Sequence, residues 1–292
     1  MFAQQLVNGL VVGSTYALFA LGFTLMFGVL GVINLTYGFY LSVGAFLALF
    51  ATQHGVSIWL ALPLAALASG CVAVLIDGLL LTPLRRAKAP ELASLMVTLG
   101  ATLLLYSLAN AALSTDIRRF PPGVIDANAL EIAGIRITMT QCLIIAAAGI
   151  IVSVLLWVMN GARIGLGLRA LAERPDAAAL MGVNAGALVR LVSLASGTLA
   201  GASGVLIGLN YNAIQPYMGE VMMLKGFAVI ILGGLGDIRG ALVAGLVVGM
   251  LETLTAGYVA SSWKDAVGFV LLVLTLCIRP SGLFGRLAVK RA

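Results

Sequence analysis

The chain has 292 residues, 61% of them hydrophobic and 10% charged, with 17 Lys and Arg against 11 Asp and Glu. Soluble domains carry about 25% charged residues, so this composition excludes an ordinary soluble enzyme or binding module and places most of the mass in lipid. The net charge of +6 does not indicate nucleic acid, because the basic residues cluster at the ends of apolar runs, where cytoplasmic loops collect Lys and Arg.

Residues 1–76 contain no Asp, Glu, Lys or Arg. A helix needs about 20 apolar residues to cross the hydrocarbon core, so this stretch alone holds more than two crossings. Met1–Gly9 has no basic n-region and the apolar run is too long for an h-region, so a cleavable signal peptide is not expected. The runs are continuous rather than alternating, unlike barrel strands. Helices are the remaining way to satisfy a backbone in lipid.

Spans are expected at 5–30, 36–53, 58–82, 92–115, 138–160, 190–212, 221–235, 241–260 and 264–278. Four charged islands separate them. Residues 83–91 carry three basic and one acidic residue, 116–136 three of each, 163–190 four basic and two acidic, and the tail Arg279, Arg286, Lys290 and Arg291. Biased islands belong in the cytoplasm and the balanced one outside, which gives an alternating topology with the N-terminus outside. The fold class is therefore all-α: a polytopic membrane helix bundle of eight to ten transmembrane helices, one domain over residues 1–292. The Gly-rich, short-spanned stretch 196–240 leaves room for a broken or re-entrant helix.

Glycines recur at a spacing of four: Gly9/Gly13, Gly197/Gly201, Gly204/Gly208, Gly236/Gly240 and Gly245/Gly249. Small residues at that spacing let helix backbones approach closely in lipid. Cys71, Cys142 and Cys277 have no ligand spacing and are packing residues, so neither a metal nor a disulfide is expected. Catalytic residues and cofactors are not expected either.

Charges at membrane depth are costly. Asp77 lies close enough to the cytoplasmic interface to reach Arg85. Lys225 lies about 6 Å into its span at 1.5 Å per residue and can snorkel outward. Glu252 lies deeper, and the two can pair if their helices are neighbours; lining a pathway is the other reading. Asn34 and Gly38 start the second span. They either shape the cytoplasmic half of a translocation pathway or serve as helix cap and kink.

The basic stretch Arg163–Gly182 holds a short helix signal. Pro175 suits a first helical turn, Glu173 and Asp176 place negative charge near the positive helix end, Ala177, Ala178, Ala179, Leu180 and Met181 favour helix, and Gly182 gives a left-handed stop. About two turns are too short to stand alone in water and suit a partner's groove; an ordinary interfacial loop is the bland alternative. The motif D-A-A-x-x-x-G (Asp176, Ala177, Ala178, Gly182) resembles the docking signature of ABC-importer permeases.

The resemblance extends over nearly the whole chain, to the branched-chain amino-acid permease family of ABC importers in its LivH-like form. It is carried by N-G-L-V-V-G-S-T-Y-A-L-F-A-L-G-F-T-L (Asn8–Leu25), G-V-I-N-L-T-Y-G (Gly31–Gly38), R-A-x-A-E (Arg169–Glu173), Y-N-A-I-Q-P-Y-M-G (Tyr211–Gly219), K-G-F-A-V-I-I-L-G-G-L-G-D-I-R-G-A (Lys225–Ala241), K-D-x-V-x-F (Lys264–Phe269) and R-P-S-G-L-F-G (Arg279–Gly285). There are departures. Tyr37 stands where the family has His, the proline of the broader importer signature is missing around Val192, Leu194 and Ala195, and Asp237 and Arg239 replace small residues.

The resemblance implies a multi-pass permease of the bacterial inner membrane that works with a second, LivM-like permease subunit, two cytoplasmic ABC ATPases and a periplasmic substrate-binding protein. The implied cargo is leucine, isoleucine or valine, with urea, amides or other hydrophobic amino acids as the alternative. The coupling loop is 161–190, and Arg169, Ala170, Glu173, Asp176, Ala177, Ala178 and Gly182 are its ATPase-coupling residues. Asn34, Gly38, Lys225 and Glu252 are the candidate pathway residues. No phosphate-binding loop occurs in the chain, so ATP chemistry is left to partner chains. Three rivals remain: an ion-coupled secondary transporter using Glu252, a purely structural membrane subunit, and an intramembrane protease using Ser203, whose only available base is His54.

Overall fold

A computed structural model describes residues 1–87, 89–124, 129–132, 135–279 and 281–285. The helices are α1 (Phe2–Leu30), α2 (Tyr37–Gln53), α3 (Ile58–Ile76), which runs through a π-helical turn at Asp77–Leu81 into α4 (Thr82–Arg86), α5 (Glu91–Leu113), α6 (Met139–Gly161), α7 (Arg163–Glu173), α8 (Pro175–Leu180), α9 (Ala185–Tyr211), α10 (Met218–Gly233), α11 (Ile238–Tyr258) and, after a 3-10 turn at Ser261–Trp263, α12 (Lys264–Ile278). Among the described residues seven helices are long and apolar enough to cross a membrane. The shorter α2 and α10 fill the bundle beside these seven, against the eight to ten transmembrane helices expected. One local departure from an all-α chain is a hairpin of β1 (Ala129–Ile132) and β2 (Ile135–Thr138), paired antiparallel between α5 and α6.

The core is built on small residues. α1 and α11 run antiparallel in near backbone contact, and a methyl group added to Gly9 or Gly13 would lie 2.9 Å from the Cα of Met250 or Leu246. Gly245 and Gly249 answer from the other side, against Ala17 and Gly13. α3 and α9 make a second such seam, with Gly197 and Gly201 against Ala73 and Ser69. Without a hydrophobic drive between helices in lipid, this close packing is what holds them together. The Gly236/Gly240 pair is different: Gly236 has φ +85° and turns the chain between α10 and α11, and only Gly240 packs helix on helix, against Gly233.

Helix ends follow local chemistry. Thr138 and Gln141 form a reciprocal capping box at α6. Asn184 accepts from Ala187 N–H at α9, and Asp237 Oδ1 accepts from Gly240 N–H at 2.8 Å at α11. Outward faces stay apolar, as lipid requires: Leu103, Leu104 and Leu108 of α5 and Trp157 of α6 are exposed.

Candidate functional site

One end of the bundle gathers Arg85 and Arg86, the α6–α9 connection with Arg163, Arg169 and Arg174, and the α10–α11 turn with Arg239. The connection is more helical than its sequence suggests, since Arg163–Glu173, read there as loop, is the amphipathic helix α7. Gly165, Leu168 and Leu171 are buried while Arg169 and Glu173 are exposed. Gly165 lies so close to the carbonyls of Val158 and Met159 that no side chain fits there. α8 begins at Pro175, and Gly182 follows it with φ +84°. Ala178 faces inward, whereas Leu180 and Met181 stand 89% and 85% exposed. Asp176 lies in α8, and its side chain is outside the described residues. Beside α7 is a cavity of about 390 Å³ lined by Thr24, Gly28, Asn160, Arg169, Asp237 and Arg239.

α2 does not start at the membrane surface. The Tyr37 hydroxyl donates to Phe19 O at 2.9 Å, and its ring stacks on Phe23 at 5.2 Å. Those residues lie seven to eleven positions before the end of α1, about 10–16 Å inside at 1.5 Å per residue. From the other side, Ser69 Oγ, eleven residues into α3, donates to Tyr40 O at 2.7 Å. Residues 31–36 therefore fold back into the bundle as non-helical backbone. Such backbone survives at membrane depth only when buried in protein and hydrogen-bonded. Asn34, fully buried, does this: its Oδ1 accepts from Thr36 N–H at 2.9 Å and from Thr36 Oγ1 at 2.6 Å, and Thr36 Oγ1 pairs with Tyr40 Oη at 2.8 Å. Gly38 meets α10, where its backbone and that of Gly219 touch, and Gly219 N–H donates to Ser42 Oγ at 3.1 Å. α10 thus also begins inside the bundle.

Lys225, Glu252 and Asp265 join α10, α11 and α12. Lys225 Nζ lies 2.5 Å from Glu252 Oε1, 2.8 Å from Asp265 Oδ1 and 2.9 Å from the Tyr16 hydroxyl of α1. Lys225 and Glu252 are buried, while the Asp265 side chain is half exposed.

With this geometry in view, the comparisons are direct. Residues 5–276 match the family model of the branched-chain amino acid transport system / permease component. The chain belongs to that family. It is 31% identical to the high-affinity branched-chain amino acid transport system permease protein BraD of Pseudomonas aeruginosa, over 99% of this chain and 98% of that protein. Against the corresponding permease LivH of Escherichia coli the identity is 30%, over 99% and 97%. Against a probable LivH of Methanocaldococcus jannaschii it is 28%, over 97% and 92%. A solved structure, PsaBC from Streptococcus pneumoniae in complex with Fab, superposes with a TM-score of 0.52 over 95% of this chain and 92% of that one, at 11% identity. That last likeness shows a shared fold. This permease is a transport subunit rather than an enzyme, and a multi-pass protein of the inner membrane.

The structure brings some expected partners together and not others. Asp77, 1% exposed, pairs with Arg85 at 2.6 Å, and Lys225 pairs with Glu252, both as anticipated. Asn34 and Gly38 lie together at the buried start of α2, and neither is bonded to Lys225 or Glu252. The irregular element expected in 196–240 is not in α9, which is continuous; it is the short α10 and, unexpectedly, residues 31–36. Ser203 Oγ donates to Ala200 O within α9, and His54 Nδ1 pairs with Phe50 O at an exposed helix end, so no nucleophile–base pair forms. Three roles were missed, the first being Asp265, which completes the Lys225 cluster. Asp237 caps α11, which an acid three residues before Gly240 at a Gly turn signals. Residues 281–285 close the end of α10, with Leu283 and Phe284 N–H donating to Leu232 and Gly233 O at 2.8 and 3.0 Å.

Proposed function

We propose that this permease moves leucine, isoleucine and valine inward across the inner membrane as one transmembrane domain over residues 1–292. It works with a LivM-like second permease, two cytoplasmic ATPases and a periplasmic binding protein. Full-length similarity to permeases named for branched-chain amino acids carries the cargo assignment. The end rich in arginine is cytoplasmic, by the bias of basic residues toward that side.

In this reading the α7–α8 arm, residues 161–190, receives the ATPase. Leu180 and Met181 are the docking knobs, since an exposed apolar pair on a short, otherwise marginal helix is stabilised by a partner groove. Gly182 sets the exit, Ala170, Ala177 and Ala178 keep the arm slim, and Asp176 sits at the positive end of α8. Arg169 and Glu173 flank the dock. Asn34 and Gly38 shape the pathway's buried inner stretch, and Lys225 with Glu252 braces the helices around it. ATP-driven movement of the docked arm changes the pathway only if docking differs in free energy between its inward and outward states.

The test is leucine uptake into proteoliposomes holding the assembled complex, with the binding protein supplied. Leu180→Glu and Met181→Glu each remove a contact worth about 2 kcal/mol, roughly thirtyfold in ATPase association. Uptake falls accordingly while membrane insertion is kept. Normal uptake in both variants removes the docking assignment, and a wild-type complex that carries urea but not leucine removes the cargo.

A further inference from the structure

α5 meets the bundle along a narrow edge, and between α5 and α2 lies a half-open cavity of about 320 Å³. That is within the ~300–1,000 Å³ of small-molecule sites. Its walls are apolar, formed by Phe39, Val43 and Phe46 of α2 and by Ala109 and Leu113 of α5. Polar groups converge at its two ends. At the outer end Arg118 donates one Nη2 bond to Leu113 O at 2.8 Å, and among the described residues no carboxylate lies within 4.0 Å of its guanidinium. At the inner end is Ser42, which takes the Gly219 N–H.

Two polar side chains lie on the inner face of α5, behind the cavity wall rather than in it. Tyr106 is 3% exposed, packs edge-on against Phe39 at 5.5 Å and tilted against Tyr217 at 5.3 Å, and its hydroxyl lies beside Ser42. That hydroxyl sits 2.7 Å from where a Cβ on Gly219 would be, at the start of α10 beside Ser42. One turn outward along α5 is Asn110, whose Oδ1 is buried and unpartnered.

We propose that this cavity is a transient cargo site on the permease, for a zwitterionic amino acid with a branched aliphatic side chain. The proposal rests on the import function above and names its subsite. The α-carboxylate pairs with Arg118, and the aliphatic side chain lies between Phe39, Val43, Phe46 and Leu113, with Ser42 at the inner end. A carboxylate or ammonium on the cargo's side chain would be buried against the apolar walls without a partner, so acidic and basic amino acids are excluded. A second gate of selectivity thus stands behind the binding protein.

Cysteine protection in the assembled complex tests this. Cys71, Cys142 and Cys277 are replaced by serine, Val43→Cys or Leu113→Cys is introduced, and a membrane-impermeant thiol reagent is added outside the proteoliposomes. Leucine is expected to slow labelling at both positions several-fold, and glutamate to leave it unchanged. Arg118→Gln in the same background is expected to raise the leucine concentration for half-protection by about tenfold to a hundredfold, the range for one charged hydrogen bond. No labelling at either position, equal protection by leucine and glutamate, no protection by leucine in a complex that takes leucine up, or a half-protection concentration unmoved by Arg118→Gln would each overturn the site. Wild-type uptake, measured alongside, reports separately on the import function.

Discussion

Lys225→Met strips Glu252 of its cation. Glu252 is 5% exposed, so its carboxylate can neither reach water nor find another base among its contacts. Removing one partner of a buried ion pair costs about 3–5 kcal/mol, because the other charge stays behind uncompensated. Glu252→Gln is milder, since Lys225 keeps Asp265 at 2.8 Å, an acid whose side chain is 54% exposed and well hydrated; the loss is that of one charged hydrogen bond, about 1.5–3 kcal/mol. In the double variant no charge is buried, so its loss should fall below that of Lys225→Met alone. Denaturant titration of the purified permease in mixed micelles, run as a double-mutant cycle, reads the three free energies. Equality of the double variant with the sum of the singles, within about 0.5 kcal/mol, would refute the assignment of this cluster as a coupled brace.

Gly219→Leu should lower stability by more than the ~1–3 kcal/mol of ordinary overpacking, because its Cβ meets the Gly38 backbone rather than a movable side chain; Gly149→Ala, in open space on α6, is the neutral control in the same titration. Asp237→Ala removes the cap of α11 and should cost about 1 kcal/mol, with Asp237→Asn restoring most of it.

Much of this fold is legible because lipid enforces simple rules. Apolar length located the spans, and charge islands located their ends to within a few residues, as with α3 leaving the core near Asp77 and Arg85. The pairing of Lys225 with Glu252 was legible because a membrane gives a buried lysine few other options. What was not legible depends on tertiary context. Residues 31–36 carry no Pro and no charge, and their excursion into the bundle is set by Tyr37 reaching Phe19 and by Asn34 supplying the hydrogen bonds a helix would have supplied. α7 was hidden because Gly165 and Gly167 lower its intrinsic propensity; it forms because Leu168 and Leu171 find a buried face. Ala178 reads as a docking contact from the motif alone, yet it faces inward, and the exposed pair is Leu180 and Met181. The Tyr106–Ser42–Gly219 meeting joins three distant segments, and no local pattern announces it.

These contacts divide the bundle into parts of unequal stiffness. α1, α11, α3 and α9 are locked by backbone-to-backbone seams, where a sub-ångström shift drives glycine against glycine, so they behave as a frame. α2 and α10 are short, start inside that frame, and are tied to each other at Gly38, Ser42 and Gly219. α5 touches the frame least. Elements with few buried contacts open at the lowest free energy, and α5 and α12 are the least buried of the long helices. A pathway bounded by one stiff and one compliant wall needs no high-affinity site of its own. It needs weak polar partners at the ends of apolar walls, and Arg118 and Ser42 at the two ends of the cavity between α2 and α5 have that character.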